Sequence, residues 1–275
     1  MRFLLQAVLL LFIPFVGCKN NLSHPISTNQ IANVLNYTVT PGHGYDRSGL
    51  MYSDQGAWFA YSFPVDSSCY GGFSGPFLMT QENGVWSARV INQLVIEESS
   101  QVINWETSQF KSYNSHLKQE FNSKNVQLSQ TLAYFSGHTA IIQSKISNTG
   151  TNPITLNYYW KSKDLLASSL ITEIKGAEVI IHSSNSKAIG HLLFPEDSEL
   201  NLSNNNFQSK KETITLKPGK YIELITSQSF VFPEYSWDEE IVGIRQLEFE
   251  EILNERISEK ESQIEVLKKN VNNII

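Results

Sequence analysis

Apolar and polar residues alternate along most of the chain between about residues 31 and 232. In the clearest run, Ile154, Leu156, Tyr158 and Trp160 share one face, and the residues between them share the other. The same parity recurs in further segments: Val126, Leu128, Leu132 and Tyr134; Ala140, Ile142 and Ile146; residues 177–182; residues 213–216. A period of two is typical of half-buried strands, so most of this chain is predicted to be β-sheet.

Turn-forming residues separate these runs at short intervals. Residues 148–153 (Asn-Thr-Gly-Thr-Asn-Pro) and 217–220 (Lys-Pro-Gly-Lys) each lie between two alternating runs and are predicted to close hairpins. Many short strands without intervening helices indicate antiparallel sheets packed on each other. We therefore expect an all-β fold, a large antiparallel β-sandwich (a supersandwich) over residues 31–235.

The last part of the chain, residues 236–275, loses the alternation and is predicted to form a helical linker. Asp238, Glu239 and Glu240 suit the first turn of a helix, and no glycine or proline follows Gly243. A long helix would carry one apolar stripe, interrupted by Lys260: Ile252, Leu253, Ile257, Ile264, Leu267, Val271 and Ile274. A short coiled coil would show similar spacing, but the lysine in its seam favours a connector helix that packs on another domain.

The amino terminus has the features of an export signal. Residues 1–17 combine Arg2 with an apolar run that is too short to span a bilayer, and they are followed by Cys18. A small residue before a cysteine at this place resembles a bacterial lipobox, so we expect a lipoprotein-type signal peptide, lipidation of Cys18 and a polar tether over residues 18–30. The alternative is a plain signal peptide cleaved nearby. The expected location is outside the cytoplasm, in the periplasm or on the outer-membrane surface, with the lipid as the only membrane attachment.

Charge and cysteine content narrow the classes of partner. The formal net charge is −6 and no lysine–arginine cluster is present, which argues against a nucleic-acid partner. Aromatic residues make up 11% and charged residues 17% of the chain, a balance that suits an exported protein that meets carbohydrate. If Cys18 is lipidated, Cys69 has no partner for a disulfide and is expected to be a small buried hydrophobe.

One segment carries a resemblance to a known family. Residues 54–61 (Asp-Gln-Gly-Ala-Trp-Phe-Ala-Tyr), Phe63-Pro64 and residues 71–76 (Gly-Gly-Phe-Ser-Gly-Pro) resemble the N-terminal domain of bacterial glycoside hydrolase family 63, relatives of the processing α-glucosidase. Residues 33–38 are similar to the start of that domain. Family members often have proline where this chain has Ser74. The resemblance would cover residues 31–275.

The resemblance implies two domains, of which only one carries the catalytic residues. In that family a large β-sandwich is joined by helical linkers to an (α/α)₆ barrel, which carries an inverting general acid and general base. The residues here match the sandwich and the linker, and the sequence given ends before a barrel. The implied function is therefore the non-catalytic part of a glycosidase acting on α-glucosides or oligosaccharides, with a separate or missing barrel as the partner of the C-terminal helix.

The sequence itself supports no catalytic, metal or cofactor site. Inversion needs two carboxylates about 6.5–9.5 Å apart across a sugar, and the densest acidic cluster lies on the predicted helix, where a solvated face explains it better. His43 stands in a loop without a second ligand at metal spacing. The glycine-rich segment lacks the ending of a phosphate loop and the spacing of a hydrolase elbow.

The glycine–aromatic segment leaves two interpretations open. Its aromatic residues could form a loop wall that contacts sugar: Trp58, Phe59, Tyr61, Tyr70 and Phe73. Alternatively, they are sandwich core, and the glycines at 71, 72 and 75 allow tight turns.

Three functions follow from these alternatives. The chain is a non-catalytic module of a family-63-like glycosidase, a stand-alone surface lipoprotein that binds glycans, or a structural sandwich whose helix seeks an oligomeric partner. An unsatisfied apolar stripe from Ile252 to Ile274 favours the first, since exposed apolar surface tends to be covered by a partner.

Overall fold

The structure, a computed structural model, describes residues 30–79, 84–167, 170–183 and 186–272. The predicted signal peptide (1–17), the predicted lipidation site Cys18 and nearly all of the predicted tether lie outside these residues. Two large sheets dominate the described chain, which confirms the all-β sandwich.

The first sheet, sheet A, has its main strands in the order β1-β2-β4-β10-β15-β14. Within the described residues it has nine strands, because β3 pairs with β2, β5 with β4 and β16 with β10. Their bounds are β1 Phe59–Ser62, β2 Ser74–Leu78, β3 Val85–Trp86, β4 Ala88–Glu98, β5 Gln101–Val102, β10 Ile154–Leu165, β14 Leu200–Ser203, β15 Asn206–Ser209 and β16 Glu212–Leu216.

The second sheet, sheet B, has the order β11-β12-β13-β17-β9-β8-β7-β6, and all its described neighbours are antiparallel. Its strands are β6 Thr107–Ser112, β7 Leu117–Asn122, β8 Val126–Tyr134, β9 Thr139–Asn148, β11 Leu170–Lys175, β12 Glu178–Ser183, β13 Ser186–Leu193 and β17 Tyr221–Val231. A short 3₁₀ turn, Ser67–Cys69, lies between β1 and β2.

The core lies where the predicted apolar faces of the two sheets meet. From sheet A, Leu156 and Trp160 point inward; from sheet B, Phe121, Leu128 and Ile146 do the same, and all five are buried in one cluster. Each large apolar side chain removed from water here contributes about 1.5–3 kcal/mol to folding. Cys69 is also fully buried, and burial raises the pKa of its thiol, as expected of a structural cysteine.

Both predicted hairpins are wrong. The turn after β9 leads to β10, and the turn after β16 leads to β17, so each passes from one sheet to the other. Asn148 joins the two crossings: its side chain donates to the carbonyls of Asn152 (2.8 Å) and Leu216 (2.9 Å), and its backbone carbonyl accepts from Gly219 at 2.9 Å. Turn residues show where a chain reverses, but they do not show which strands then pair.

The C-terminal segment forms two helices, α1 Trp237–Arg245 and α2 Phe249–Asn272, where the sequence predicts one long helix. Ser236 caps α1, and Asp238, Glu239 and Glu240 occupy its first turn, as predicted. The break falls at Gln246, whose backbone N–H donates to the carbonyl of Gly243. The sequence has no glycine or proline between residues 244 and 249 that would predict it. Within the described ranges, neither helix is long and apolar enough to cross a bilayer.

Helix α2 is only half covered. Phe249, Leu253 and Ile257 pack on Ala133 and Ile141, which point outward from sheet B. Farther along the helix, Ile264 is 40% exposed and Leu267 is 64% exposed. Within the described residues, the apolar stripe is therefore covered at its start and exposed at Ile264 and Leu267, whereas the side chains of Val271 and Ile274 lie outside the described part of the chain.

Candidate functional site: the glycine–aromatic segment

Three of the five predicted sugar-contact residues lie inside the sandwich. Phe59, Tyr61 and Phe73 are buried in one apolar cluster, in which the ring of Phe59 lies 5.3 Å from Tyr134 and 5.1 Å from Phe230. Burial raises the pKa of Tyr61 well above its ordinary value, and its hydroxyl donates to Gln228 at 2.7 Å. These side chains pack the core, as the second interpretation of the segment expects.

Tyr70 occupies an intermediate place. Its ring stacks on Phe121 with centroids 4.6 Å apart, and its hydroxyl lies 3.2 Å from Ser108 on the outermost strand of sheet B. It closes one edge of the core and is only partly exposed.

Trp58 alone of the five is well exposed, with 62% of its surface accessible. Its indole borders an apolar crevice with Leu78, Met79 and Phe232, of about 20 Å³. A ligand pocket for a small molecule measures about 300–1,000 Å³, so this crevice cannot enclose a sugar. An exposed indole face can still stack on one sugar ring at the surface.

The glycines place the loop against strand β4. Gly71 has φ +93°, and a Cβ there would lie 2.2 Å from the carbonyl oxygen of Leu94. A Cβ on Gly72 would lie 2.3 Å from Val90 Cγ1. The glycines are therefore required for close packing between the loop and the sheet, where any larger residue would clash.

Two buried glutamines hold the same loop from the opposite sheet. Gln119 donates to the carbonyl of Gly72 and Gln130 to that of Gly71, each at 3.0 Å. Gln119 also donates to Gln130 at 2.8 Å, and Gln130 to Ser144 at 2.9 Å. Because the loop carbonyls point into this network, they do not face a ligand at the surface.

Apolar periodicity in the sequence does not predict that these glutamines are buried. Gln130 and Ser144 stand at inward-facing positions of β8 and β9, between Leu128 and Leu132 or Ile142 and Ile146. A polar residue at a core position is the signal that could have revealed them, because a buried amide requires partners.

Helix α2 contacts the first part of the segment, at Asp54 and Gln55. Lys260 Nζ lies 2.6 Å from Asp54 Oδ1, and Gln55 donates to Glu259 at 2.8 Å. Gly56, with φ +72°, forms the turn that follows. The lysine that interrupts the predicted apolar stripe is thus the residue that anchors the helix to the segment.

Among the acidic residues of the helices, Glu240 makes a structural contact. Glu240 faces sheet B and accepts hydrogen bonds from Ser136 and Thr139, which fixes α1 to the sheet. Among the residues described, no group of three or more His, Cys, Asp or Glu side chains could hold a metal ion. His43 lies in a turn, where its Nδ1 accepts from the backbone of Tyr45 at 3.2 Å.

One histidine–carboxylate pair was not anticipated from the sequence. His191 Nδ1 lies 2.6 Å from Glu178 Oε1, and the imidazole stacks on the indole of Trp237 at 3.9 Å. Burial lowers the pKa of His191. The pair fastens the start of α1 to β12 and β13.

The fold and this segment define a two-sheet sandwich domain with a helical extension docked on one sheet. Residues 45–178 match the family model described as the N-terminal domain of the glucosidase YgjK, so this part of the chain is a glycosidase-related N-terminal domain, akin to glycoside hydrolase family 63. The match contains both halves of the motif, which confirms the resemblance. Residues 33–38 lie outside it.

Solved structures show weaker similarity. A proposed kojibiose phosphorylase from the human microbiome is 8% identical, with a TM-score of 0.44 over 82% of this chain and 33% of that one. A galactose mutarotase related enzyme from Lactobacillus acidophilus is 6% identical, with a TM-score of 0.44 over 66% and 97%. Heparan sulfate lyase HepC from Pedobacter heparinus is 8% identical, with a TM-score of 0.36 over 52% and 24%. The chain spans about a third of the length of the first of these.

Proposed function

We propose that this chain serves as the non-catalytic sandwich domain of a family-63-like glycosidase that acts on α-glucosides or oligosaccharides. The match of residues 45–178 to a glucosidase N-terminal domain carries the proposal. The hydrolytic carboxylates would belong to an (α/α)₆ barrel, and the chain alone would be inactive.

The barrel would pack on the second half of α2. Ile264, Val266 and Leu267 are exposed there on an otherwise charged helix. Ile264 and Leu267 lie one turn apart on the same face, and exposed apolar residues grouped in this way mark a surface that a partner covers. The covered first half of the helix would keep the domain rigid at the junction.

Reconstitution tests this function. The chain is mixed with the barrel of a YgjK-type glucosidase made without its own N-terminal domain, and complex formation and α-glucoside hydrolysis are measured. We expect a complex whose activity exceeds that of the barrel alone, and its loss in Ile264→Glu/Leu267→Glu. Val102→Glu, an equally exposed apolar position on β5, is the matched control. Absence of a complex, or equal loss in the control, would reject the proposal.

A second candidate is a stand-alone surface lipoprotein that binds glycans. The exposed indole of Trp58 favours it, because flat aromatic faces stack on sugars. Trp58→Ala should fold normally and lose glycan-array binding, whereas retained binding would reject the sugar role. Lipidation is tested separately: labelled palmitate should enter the wild-type chain but not Cys18→Ser, and labelling of both would reject Cys18 as the site.

A further inference from the structure

A groove lies on the outer face of sheet B, beside the start of α2 and away from the Trp58 crevice. Strands β7, β8, β9 and β17 form its floor, and the helix forms one wall. Its volume is about 410 Å³, which falls within the range of small-molecule pockets. Six polar or aromatic side chains on its surface are Tyr113, Lys118, Gln143, Lys145, Glu223 and Glu250.

The polar side chains of the groove combine donors and acceptors of both charges. Lys118 and Lys145 supply two positive charges, and Glu223 and Glu250 supply two negative ones; Lys118 Nζ is also paired with Glu120 Oε1 at 3.0 Å. His116 also borders the groove; burial and then Lys118 lower its pKa to about 4, so it is neutral at physiological pH. A lining with this balance suits a neutral ligand that carries many hydroxyl groups, since each hydroxyl both donates and accepts.

Two of the contacts across the groove are loose. Lys145 Nζ lies 3.6 Å from Glu223 Oε1, and Gln143 Nε2 lies 3.4 Å from Glu250 Oε1. An unstrained hydrogen bond between such groups measures about 2.7–3.0 Å. Lys145 Nζ also lies 3.4 Å from the centroid of the Tyr221 ring, but an ammonium group has three N–H donors. These side chains therefore retain capacity for a hydroxyl that bridges a donor and an acceptor.

An aromatic platform stands at the edge of the groove. The ring of Tyr113 stacks on His116 with centroids 4.4 Å apart and planes 25° apart. His116 is itself held by Ser115 at 2.9 Å, and the backbone N–H of Tyr113 donates to the carbonyl of His116 at 2.9 Å. The tyrosine is thus fixed as a flat, partly exposed face, which suits the C–H face of a sugar ring.

We propose that this groove binds a neutral saccharide, with Tyr113 stacking on a ring and Lys145, Glu223, Gln143 and Glu250 bonding its hydroxyls. The proposal goes beyond the function given above, because it requires neither a barrel nor Trp58. It adds a carbohydrate subsite on the opposite side of sheet B from the glycine loop.

Titration of the isotopically labelled full chain tests the groove. Maltose and glucose are the neutral probes, glucose 6-phosphate is the charged one, and amide shifts in β7–β9 are followed by NMR. We expect neutral probes to bind at millimolar concentration with shifts confined to the groove. Lys145→Met and Tyr113→Ala should each weaken binding about tenfold or more.

A matched control makes the outcome decisive. Lys175→Met removes an exposed lysine from the far edge of sheet B and should bind as the wild type does. If Tyr113→Ala fails to fold, Lys145→Met still decides, because Lys145 is a surface residue. The proposal is overturned by absent binding, by binding of the phosphate alone, or by unchanged affinity in Lys145→Met. Reconstitution with the barrel is independent of all three results.

Discussion

Gln130 of sheet B donates a 3.0 Å hydrogen bond to the carbonyl of Gly71, which lies in the loop that packs on sheet A. The same carbonyl accepts from the backbone of Leu94 at 2.8 Å. The carbonyl oxygen of Gly71 thus links the two sheets in the middle of the sandwich. The glycine–aromatic segment, which carries the family resemblance, therefore has a structural role in the fold.

Gln130→Leu should destabilise the domain by about 1–3 kcal/mol, because it leaves the buried hydroxyl of Ser144 without its described partner and removes one hydrogen bond each from Gln119 and the Gly71 carbonyl. Gln127→Leu is the matched control: it lies on the same strand but faces outward, where it bonds only Asn122 among its described partners. That change should cost under about 0.5 kcal/mol. Urea unfolding measures both, and equal losses would contradict a role for the buried network.

Comparing Gly71→Ala with Gly56→Ala separates the free-energy cost of a steric clash from the cost of a positive φ. Both glycines have positive φ, but a Cβ on Gly71 meets the Leu94 carbonyl, whereas nothing lies within 4 Å of one on Gly56. Gly56→Ala should cost about 1–2 kcal/mol from conformation alone. Gly71→Ala should cost more than about 4 kcal/mol or prevent folding. Similar melting temperatures for the two variants would show that the loop can move away from β4.

Lys260→Met should release α2 from the glycine–aromatic segment. The side chains of Lys260 and Asp54 are only 16% and 7% exposed, so removing the lysine leaves a buried carboxylate unpaired, at a cost of about 3 kcal/mol. Lys268→Met breaks an exposed pair with Glu265 on the same helix and should cost under about 0.5 kcal/mol. Hydrogen exchange of the α2 amides should accelerate in the first variant only. Unchanged exchange there would mean that the apolar contacts hold the helix by themselves.

The strands could be predicted from the sequence because burial on one face imposes a period of two. That pattern does not show which strands pair with each other. Apolar and polar residues alternate in both β9 and β10, yet the two strands belong to different sheets. Asn148 decides the crossing through hydrogen bonds to residues far along the chain, which local turn chemistry does not encode. At the break between α1 and α2, Ile244 and Leu247 pack on the cluster that contains Ala133 and Ile141 of sheet B, which lie far away along the chain.

The candidate site was less predictable than the fold. Trp58 and Phe59 are neighbours, so strand alternation sends them to opposite sides, but with two aromatic residues the pattern cannot tell which side is buried. The polar groove was missed for a related reason. Its side chains are outward-facing residues of separate strands, and only the register of sheet B brings Lys145 beside Glu223.

The buried imidazole of His116 should make stability depend on pH. Burial, and then Lys118, lower its pKa from 6.5 to about 4 in the folded state. Between these values the unfolded chain binds a proton that the folded chain does not, so the free energy of unfolding falls as pH falls from about 6.5 to about 4. The loss from this group amounts to about 3 kcal/mol, and it is absent above about pH 6.5.

His116→Phe keeps an aromatic ring against Tyr113 but cannot take up a proton. It should therefore lose about 2.4 kcal/mol less than the wild type when unfolding free energies at pH 7 and about pH 4.5 are compared by urea denaturation. Lys118→Met should give an intermediate slope, because it removes the second cause of the lowered pKa while the imidazole stays buried. Parallel pH profiles for the wild type and His116→Phe would show that the imidazole is protonated in the folded protein as readily as in the unfolded chain.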